Sequence, residues 1–295
     1  MKTKRNSSKL PMIYGAIAPS FLLYIFIVFV PLITTVYYSL NKWAGLGALK
    51  FIGLDNYKTL LGDRIFWQAA GNNLVIVIYC VLGQVGIALL ISFLMTAKTL
   101  RLKEFHRTVI FFPVVLAPVV IGFVWRFIYN TEYGMLNSLL RLLGLDNLIR
   151  PWLDDAGIVL TTVSVPVMWQ FVGLYLVILM GAISSIPSEV LEMAEIDGAS
   201  GLKKSIYITL PMIWDTLKIA IILCASGTMK IYDHIFVMTN GGPGRASTVL
   251  ALYCYDTTFR IGNFGYGSTI SVGILVISFL ITGIIQFSMG RKKNA

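Results

Sequence analysis

The sequence predicts an all-α integral membrane protein with six transmembrane helices, and composition is the first reason. Hydrophobic residues make up 57% of the 295 residues and charged residues only 13%, whereas a soluble domain carries roughly 25% charged residues. The second reason is that several uncharged runs reach the roughly 20 apolar residues that cross a bilayer core. These runs are continuous instead of alternating, which favours membrane helices over the strands of an outer-membrane barrel.

Five of the six predicted spans are uncharged. The remaining one, which is fifth in chain order, carries ionisable residues. The predicted spans cover residues 10–41, 65–97, 108–125, 156–188, 211–238 and 261–290. In the fifth span, Lys230, Asp233 and His234 stand at positions i, i+3 and i+4, which predicts one shared helix face. Ionisable residues inside a membrane are candidates for function. The alternative is a structural ion pair near the outer end of the span. Asp215 and Lys218 are expected to form a similar structural pair at its inner end.

The positions of the basic residues predict that both termini face the cytoplasm. The predicted inner segments, among them a tail of residues 1–10 and a loop of residues 98–107, are denser in lysine and arginine than the outer loops. This is the pattern of the positive-inside rule, and basic clusters beside spans suit an anionic lipid leaflet. The net charge of +10 is therefore explained by topology and does not indicate a nucleic-acid surface.

We predict one transmembrane domain, residues 1–295, without enzyme chemistry. The three cysteines are isolated and the two histidines, His106 and His234, lie far apart, so neither a disulfide framework nor a metal site is expected. The segment GASGLKKS (198–205) has the residue types of a phosphate-binding loop but not its spacing. No catalytic residues are predicted, and the chain is not expected to hydrolyse nucleotide by itself.

A polar segment interrupts the apolar chain between the fourth and fifth spans. It reads EVLEMAEIDGASGLKKSIYITLP over residues 189–211. Pro187 fits the first turn of a helix, Gly198 fits the left-handed end of that helix, and Ser200 can cap a second short helix over residues 201–208. The pattern predicts a helix–turn–helix elbow at the inner membrane surface. An amphipathic connector that merely joins two spans would show the same pattern.

The spacing of residues in this elbow resembles the EAA loop of permease subunits of bacterial ABC importers. The family pattern is Glu-Ala-Ala, three spacers, Gly, nine spacers, Ile, one spacer and Leu-Pro. The corresponding residues here are Glu192, Met193, Ala194, Gly198, Ile208, Leu210 and Pro211. All spacings match, and Met193 is the one departure, at a position where the family often has Ala.

Other segments are similar to the carbohydrate-uptake branch of that family, of the maltose and glycerol-phosphate type. They are IGLDNY (52–57), HRTVIFFPVVLAPVVIGFVWRFIYNTEYGMLN (106–137), IPSEVLEMAEIDGAS (186–200), TNGGPGRASTVLALYCYDTTF (239–259) and NFGYGSTISV (263–272). The resemblance thus covers nearly the whole chain.

The resemblance implies a permease subunit of an ATP-driven sugar importer in the bacterial plasma (inner) membrane. A coupling loop, residues 186–211, would dock on a cytoplasmic ATPase. Its implied coupling residues are Glu192, Ala194, Asp197, Gly198, Ile208, Leu210 and Pro211. The chain would bind no cofactor, since ATP and Mg²⁺ would be used by the ATPase. The implied partners are a second permease, usually a different chain, two ATPase subunits and an extracytoplasmic sugar-binding protein.

Candidate pathway residues follow from the chemistry of sugars, which need hydrogen-bonding groups and aromatic faces in a wet cavity. They are Trp169 and Gln170 in the fourth span and Lys230, Tyr232 and Asp233 in the fifth. Helix packing is the alternative use of Trp169. The alternative function is a self-contained secondary transporter or channel. Such proteins often carry inverted repeats and broken helices, and the sequence gives no sign of either.

Overall fold

Helices form most of the protein in the computed structural model, which describes residues 10–95 and 102–290. Within these residues, four helices are long and apolar enough to cross a membrane: Ile17–Ser39, Arg64–Met95, Val159–Ser184 and Phe264–Gly290. Two further helix pairs meet the same criteria but are bent at a break, which gives up to six spans. The predicted all-α membrane class is confirmed, and the count of six agrees when each bent pair is taken as one span.

The described chain separates into two compact units. The first combines the described residues up to Asp63 with Cys254–Gly273, and the second combines Arg64–Tyr253 with the residues from Ile274 to Gly290. Three stretches that the sequence places at or beside the inner surface lie outside the described residues, namely 1–9, 96–101 and 291–295. The assignment of residues 1–295 to one transmembrane domain stays a prediction.

The first unit begins with a helix whose described side chains are mostly exposed. It runs through Leu10–Tyr24, the π-helical turn Ile25–Phe29 and Val30–Ser39. No residue in its most apolar window is buried inside the chain. The hydroxyls of Thr34 and Thr35 donate to the carbonyl of Pro31 at 2.9 and 2.8 Å, so they are satisfied within the helix. The exposed apolar side chains therefore suit lipid or another protein chain.

A hairpin that the sequence analysis did not anticipate follows this helix. The strands are Asn41–Lys42 and Lys50–Phe51, paired antiparallel, and the helix Asp55–Gly62 comes next. The side-chain amide of Asn56 donates to the carbonyls of Ser39 at 2.8 Å and Asn41 at 3.1 Å. Asn56 thereby ties the short helix to the end of the first span.

The start of the last long helix packs against this hairpin. The N–H of Gly265 donates to the carbonyl of Trp43 at 3.0 Å, and a Cβ atom on Gly265 would collide with the carbonyl oxygen of Asn41. The hydroxyl of Tyr266 donates to Oδ2 of Asp63 at 2.6 Å. Glycine is required at position 265 because only a residue without Cβ permits this approach of the two backbones.

The second unit is built around the long helix Val159–Ser184. Its other elements are Arg64–Cys80, the π-helical turn Val81–Gly86, Ile87–Met95, Lys103–Phe111, the 3₁₀ turn Phe112–Val115, Pro118–Ile128, Met135–Leu142, the 3₁₀ turn Asp146–Leu148, Ser188–Ile196, Gly201–Lys204, the π-helical turn Ser205–Thr209, Leu210–Met212, Trp214–Thr228 and Asp233–Met238. The helix Leu250–Tyr255, the π-helical turn Asp256–Arg260 and the helix Phe264–Gly290 follow, and their residues 254–273 belong to the first unit. Leu176 and Leu179 are fully buried, so the long central helix forms much of the core.

The predicted third span, residues 108–125, is not one straight helix. Lys103–Val115 and Pro118–Ile128 meet at an angle of 98°. Leu116 and Ala117 between them are extended, with ψ of 142° and 135°. A residue before proline avoids the helical conformation, and Pro118 has no N–H with which to continue the ladder. The expectation of unbroken spans is therefore wrong here. Pro118 is the residue in the sequence from which this break could have been predicted.

The predicted fifth span begins later than expected. The elbow helix Gly201–Met212 and the helix Trp214–Thr228 are bent by 76° relative to each other. The membrane helix therefore starts at Trp214 and not at Pro211. Pro211 lies in the last turn of this elbow helix, in the segment Leu210–Met212.

The same span also ends earlier than expected. Residues 229–232 are not helical, and a new short helix starts at Asp233. The N–H of Lys230 donates to the carbonyl of Gly227 at 3.1 Å, which tightens the last turn. The prediction that Lys230 shares one helix face with Asp233 and His234 is wrong, because this turn interrupts the helical repeat. Gly227 lowers helix propensity close to the break.

Candidate functional site

The elbow between the fourth and fifth spans begins with the helix Ser188–Ile196. Its end is a Schellman motif, in which the N–H of Ala199 donates to the carbonyl of Ala194 at 2.8 Å and the N–H of Gly198 to that of Glu195 at 3.1 Å. Gly198 has a φ of 79°, a left-handed conformation that costs other L-residues roughly 1–2 kcal/mol. The helix therefore ends at the turn that the sequence predicted.

The second half of the elbow is helical from Gly201 onward, with a π-helical turn at Ser205–Thr209. Ser200 stands before it with extended backbone, but its hydroxyl makes no capping hydrogen bond, so the expected cap is absent. Lys204 Nζ lies 2.9 Å from Glu195 Oε1 and links the two halves. Surface ion pairs of this kind contribute about 0–1 kcal/mol. Backbone hydrogen bonds and packing therefore hold the elbow.

One side of the elbow packs against the helix bundle. Ala194 is buried, and Val190, Leu191 and Leu210 lie partly buried against the hydrophobic core. Ile208 is half-buried in the second half of the elbow. The apolar residues of the elbow on this side therefore attach it to the base of the fourth and fifth spans.

The other side of the elbow is exposed and mixes acidic with apolar side chains. The exposed residues among the implied coupling residues are Glu192, Asp197, Gly198 and Pro211. Beside them, Met193 is 57%, Ile196 84% and Leu202 73% exposed. Large apolar side chains that are clustered and exposed mark interaction surfaces. We call this side, defined by Glu192, Met193, Ile196, Asp197 and Leu202, the exposed face of the elbow.

Three of the predicted pathway residues meet in one cavity, which we call the central pocket. Lys230, Tyr232 and Asp233 line it together with Phe171 and Tyr175, and its volume is about 460 Å³. Lys230 and Asp233 are both exposed, and no salt bridge joins them in the part of the chain that the structure describes. One cation, one carboxylate and several aromatic faces can bind a hydroxylated ligand.

The structure does not bring Trp169 and Gln170 to the central pocket. Trp169 lines a separate, apolar cavity of about 760 Å³ with Trp125, Tyr129 and Trp152, and its ring centroid is 6.0 Å from that of Trp125. Gln170 is buried, with 1% of its surface exposed. Consecutive residues of an α-helix point about 100° apart, so the two side chains enter different surroundings.

Gln170 bridges the break of the third span and the short helix Asp233–Met238. Its amide nitrogen donates to the carbonyl of Leu116 at 2.9 Å, and its Oε1 lies 2.7 Å from Nε2 of His234. Because Oε1 is an acceptor, this geometry requires the proton on Nε2. Leu116 lies at the break of the third span, where its carbonyl loses the helical partner. Sequence reasoning missed this bridge because a lone Gln and a lone His far apart carry no local pattern.

Two further buried side-chain amides bond to backbone groups of distant segments. Asn73 accepts the N–H of Leu250 at 2.8 Å and donates to the carbonyl of Thr228 at 3.3 Å. Gln84 donates to the carbonyl of Val167 at 3.0 Å. Both side chains are almost fully buried, where unpaired polar groups are costly. Asn73 thus joins the end of the helix Trp214–Thr228 to the start of the helix Leu250–Tyr255.

Long apolar helices, a cavity lined by aromatic and charged residues, and an elbow with exposed apolar side chains are features expected of a membrane component of a transport system. Residues 88–292 match the family described as binding-protein-dependent transport system inner membrane component, and the chain belongs to this family. Membership confirms the sequence-based prediction of a multi-pass transporter subunit instead of an enzyme.

Individual relatives match almost the full length of the chain. The "Probable ABC transporter permease protein YurN" of Bacillus subtilis (strain 168) is 34% identical over 263 residues, which cover 88% of this chain and 90% of YurN. The "Multiple sugar-binding transport system permease protein MsmF" of Streptococcus mutans is 31% identical over 278 residues, 94% of this chain and 93% of MsmF.

The fold agrees with a solved structure. A chain from the crystal structure of a bacterial ABC transporter involved in the import of the acidic polysaccharide alginate superimposes with a TM-score of 0.82. The match covers 96% of each chain at 18% sequence identity. At this identity the likeness concerns the fold alone.

Proposed function

We propose that this chain is the permease subunit of an ATP-driven sugar importer and that its elbow receives the force generated by a cytoplasmic ATPase. The observation that carries the proposal is the exposed face of the elbow. There, Ile196 and Leu202 are largely exposed beside the acidic Glu192 and Asp197. A partner cleft with apolar walls and polar rims would cover such a surface.

The elbow is built to act as a lever. Its first helix ends in backbone hydrogen bonds at Gly198, and its second helix continues, through a bend of 76°, into the helix Trp214–Thr228. Lys230, two residues beyond that helix, lines the central pocket. Movement of the elbow would therefore tilt a helix whose far end borders the pocket. This is a coupling of two sites through an element with two arrangements.

The central pocket supplies half of the solute pathway. Tyr232 and Phe171 offer aromatic faces, and Lys230 and Asp233 offer a donor and an acceptor for hydroxyl groups. The similarity to MsmF, whose name refers to sugar-binding transport, supports a sugar as the substrate. A second permease, usually a different chain, supplies the other half.

The remaining parts of the importer are two ATPase subunits, which use ATP and Mg²⁺, and an extracytoplasmic sugar-binding protein. Both termini of this chain lie in the cytoplasm of a bacterial cell, because the basic residues concentrate on that side. The exposed first span provides an apolar surface for lipid or for the second permease.

The test is sugar uptake by the complete importer in proteoliposomes with ATP inside. Gly198→Asp and Glu192→Lys should abolish uptake while the chain still inserts into the membrane. A Cβ atom at Gly198 meets no other atom within 4 Å, so the change acts on the backbone and on the docking surface. Gly198→Asn is the matched control, since Asn and Asp tolerate the left-handed conformation alike and differ in charge, and it should retain more uptake than Gly198→Asp.

Glu132→Lys is the control for charge reversal, because Glu132 is also exposed but lies on the predicted outer side. It should leave uptake close to that of the unaltered importer. Normal uptake in both Gly198→Asp and Glu192→Lys would remove the coupling role. Uptake without ATP would favour a self-contained transporter.

A further inference from the structure

A second polar cavity lies at the far end of the short helix Asp233–Met238, and we call it the outer pocket. It has a volume of about 210 Å³ and is lined by Arg126, Asp154, Asn240 and the backbone around Met238. At roughly 30 Å³ for each water molecule, it has room for about seven. Its lining segments are helix ends and loops that the predicted topology places on the outer side of the membrane.

The charged groups of the outer pocket are available to a ligand. Arg126 Nη1 makes a long contact of 3.5 Å with the carbonyl of Val237, which leaves most of its N–H groups for other acceptors. Among the described residues, no hydrogen bond or salt bridge engages the carboxylate of Asp154. Arg126 and Asp154 are both exposed and border the same cavity without pairing.

This combination matches the central pocket in chemistry. Each pocket presents one cation and one carboxylate that are not joined to each other, Lys230 with Asp233 and Arg126 with Asp154. A pocket with balanced charges has no net attraction for an anion. It offers donors and acceptors side by side, which suits neighbouring hydroxyl groups of a neutral sugar.

One short helix connects the two pockets. Asp233, its first residue, lines the central pocket, and Met238, its last residue, lines the outer pocket. At about 1.5 Å of rise per residue, the two ends are about 8 Å apart. A ligand of two or three sugar rings is long enough to contact both pockets at once.

We propose that the outer pocket is a sugar-binding subsite in series with the central pocket and that the transported substrate is a neutral oligosaccharide. Asp154 accepts and Arg126 donates hydrogen bonds to hydroxyl groups on one ring as the sugar leaves the binding protein. This proposal rests on the proposed function, because a subsite needs a transported sugar.

The test uses the complete importer in proteoliposomes, with its second permease, ATPases and binding protein. The unaltered importer is first given tritiated lactose, raffinose and maltotriose as neutral probes and an alginate trisaccharide as an acidic probe. Uptake of a neutral probe is expected. Uptake of the acidic probe alone would overturn the subsite chemistry and leave the importer function standing. Uptake of none would overturn both.

The variants Asp154→Asn and Arg126→Gln are then compared with the controls Asp146→Asn and Arg150→Gln, which alter exposed residues outside the pocket. Loss of a hydrogen bond to a charged group should lower kcat/KM for the transported sugar about tenfold or more. The control variants should stay within about twofold, as expected for surface changes.

Singly deoxygenated analogues of the transported sugar separate a sugar contact from a contact with the binding protein. If Asp154 binds a hydroxyl group, removal of that group should slow the unaltered importer but add little to Asp154→Asn. An equal loss for the sugar and all its analogues would instead indicate that Asp154 and Arg126 contact the binding protein, and it would overturn the subsite. Unchanged uptake in both variants would overturn it as well.

Discussion

Gln170 Oε1 lies 2.7 Å from His234 Nε2, and this contact joins the fourth span to the short helix Asp233–Met238 although the two residues are 64 positions apart in the sequence. The same glutamine holds the carbonyl of Leu116 at the break of the third span. The three segments that border this bridge also border the central pocket, through Pro118, Phe171 and His234. The bridge therefore fixes the arrangement of the pocket wall.

Replacement of Gln170 by Leu should destabilise the protein by about 3 kcal/mol, because it leaves the Leu116 carbonyl and the buried His234 imidazole without these partners. Thermal unfolding of the assembled importer in detergent measures the effect. Gln286→Leu is the matched control, since Gln286 is exposed on the last long helix, and it should be close to neutral. A similar stability for both variants would contradict the bridge.

Replacement of Gly265 by Ala should prevent normal packing of the hairpin against the last long helix, because the new Cβ atom would collide with the carbonyl of Asn41. We expect a loss of about 2 kcal/mol or more. Gly283→Ala lies in the same helix and meets no atom within 4 Å, so it should be neutral or stabilising by up to about 1 kcal/mol. Yield and thermal unfolding of the two variants are the readouts, and equal behaviour would refute the steric argument.

The ion pair between Lys204 and Glu195 should matter little. Both side chains are partly exposed, and such pairs contribute about 0–1 kcal/mol. Lys204→Gln should therefore leave ATP-driven uptake within about twofold of the unaltered importer. Complete loss of uptake, with normal assembly, would show that Lys204 belongs to the docking surface instead.

Replacement of Asp233 by Asn should impair uptake without breaking assembly, because Asp233 is exposed in the central pocket and offers acceptors to hydroxyl groups. We expect a fall in kcat/KM of about tenfold. Asp215→Asn removes an exposed carboxylate that pairs with Lys218 at 2.9 Å at the other end of the span, and it should have a much smaller effect. Equal losses would argue for a structural role of both.

The sequence could predict what depends on local pattern. Long uncharged runs such as residues 156–188 predict a membrane helix because the bilayer requires one. The turn at Gly198 was predictable because a helix end needs a residue that tolerates positive φ. The ion pair of Asp215 with Lys218 followed from a spacing of three residues.

The sequence could not predict what depends on contacts between distant segments. The bridge from Gln170 to His234 and the cap of Leu250 by Asn73 arise only after the helices have packed. The same packing separates Trp169 and Gln170 from the central pocket. The spacing of Lys230 and Asp233 predicted one shared helix face, and the break after Thr228 makes that prediction wrong, although tertiary packing returns both residues to one cavity.

The composition of the native complex tests the central claim most directly. The chain is purified from its own membrane in mild detergent, and the intact assembly is weighed by mass spectrometry. The account predicts one copy of this chain with a second permease of similar size and two ATPase subunits, and loss of the ATPases from Glu192→Lys. A chain that is isolated alone or with copies of itself, and that moves sugar into liposomes without ATP, would contradict it.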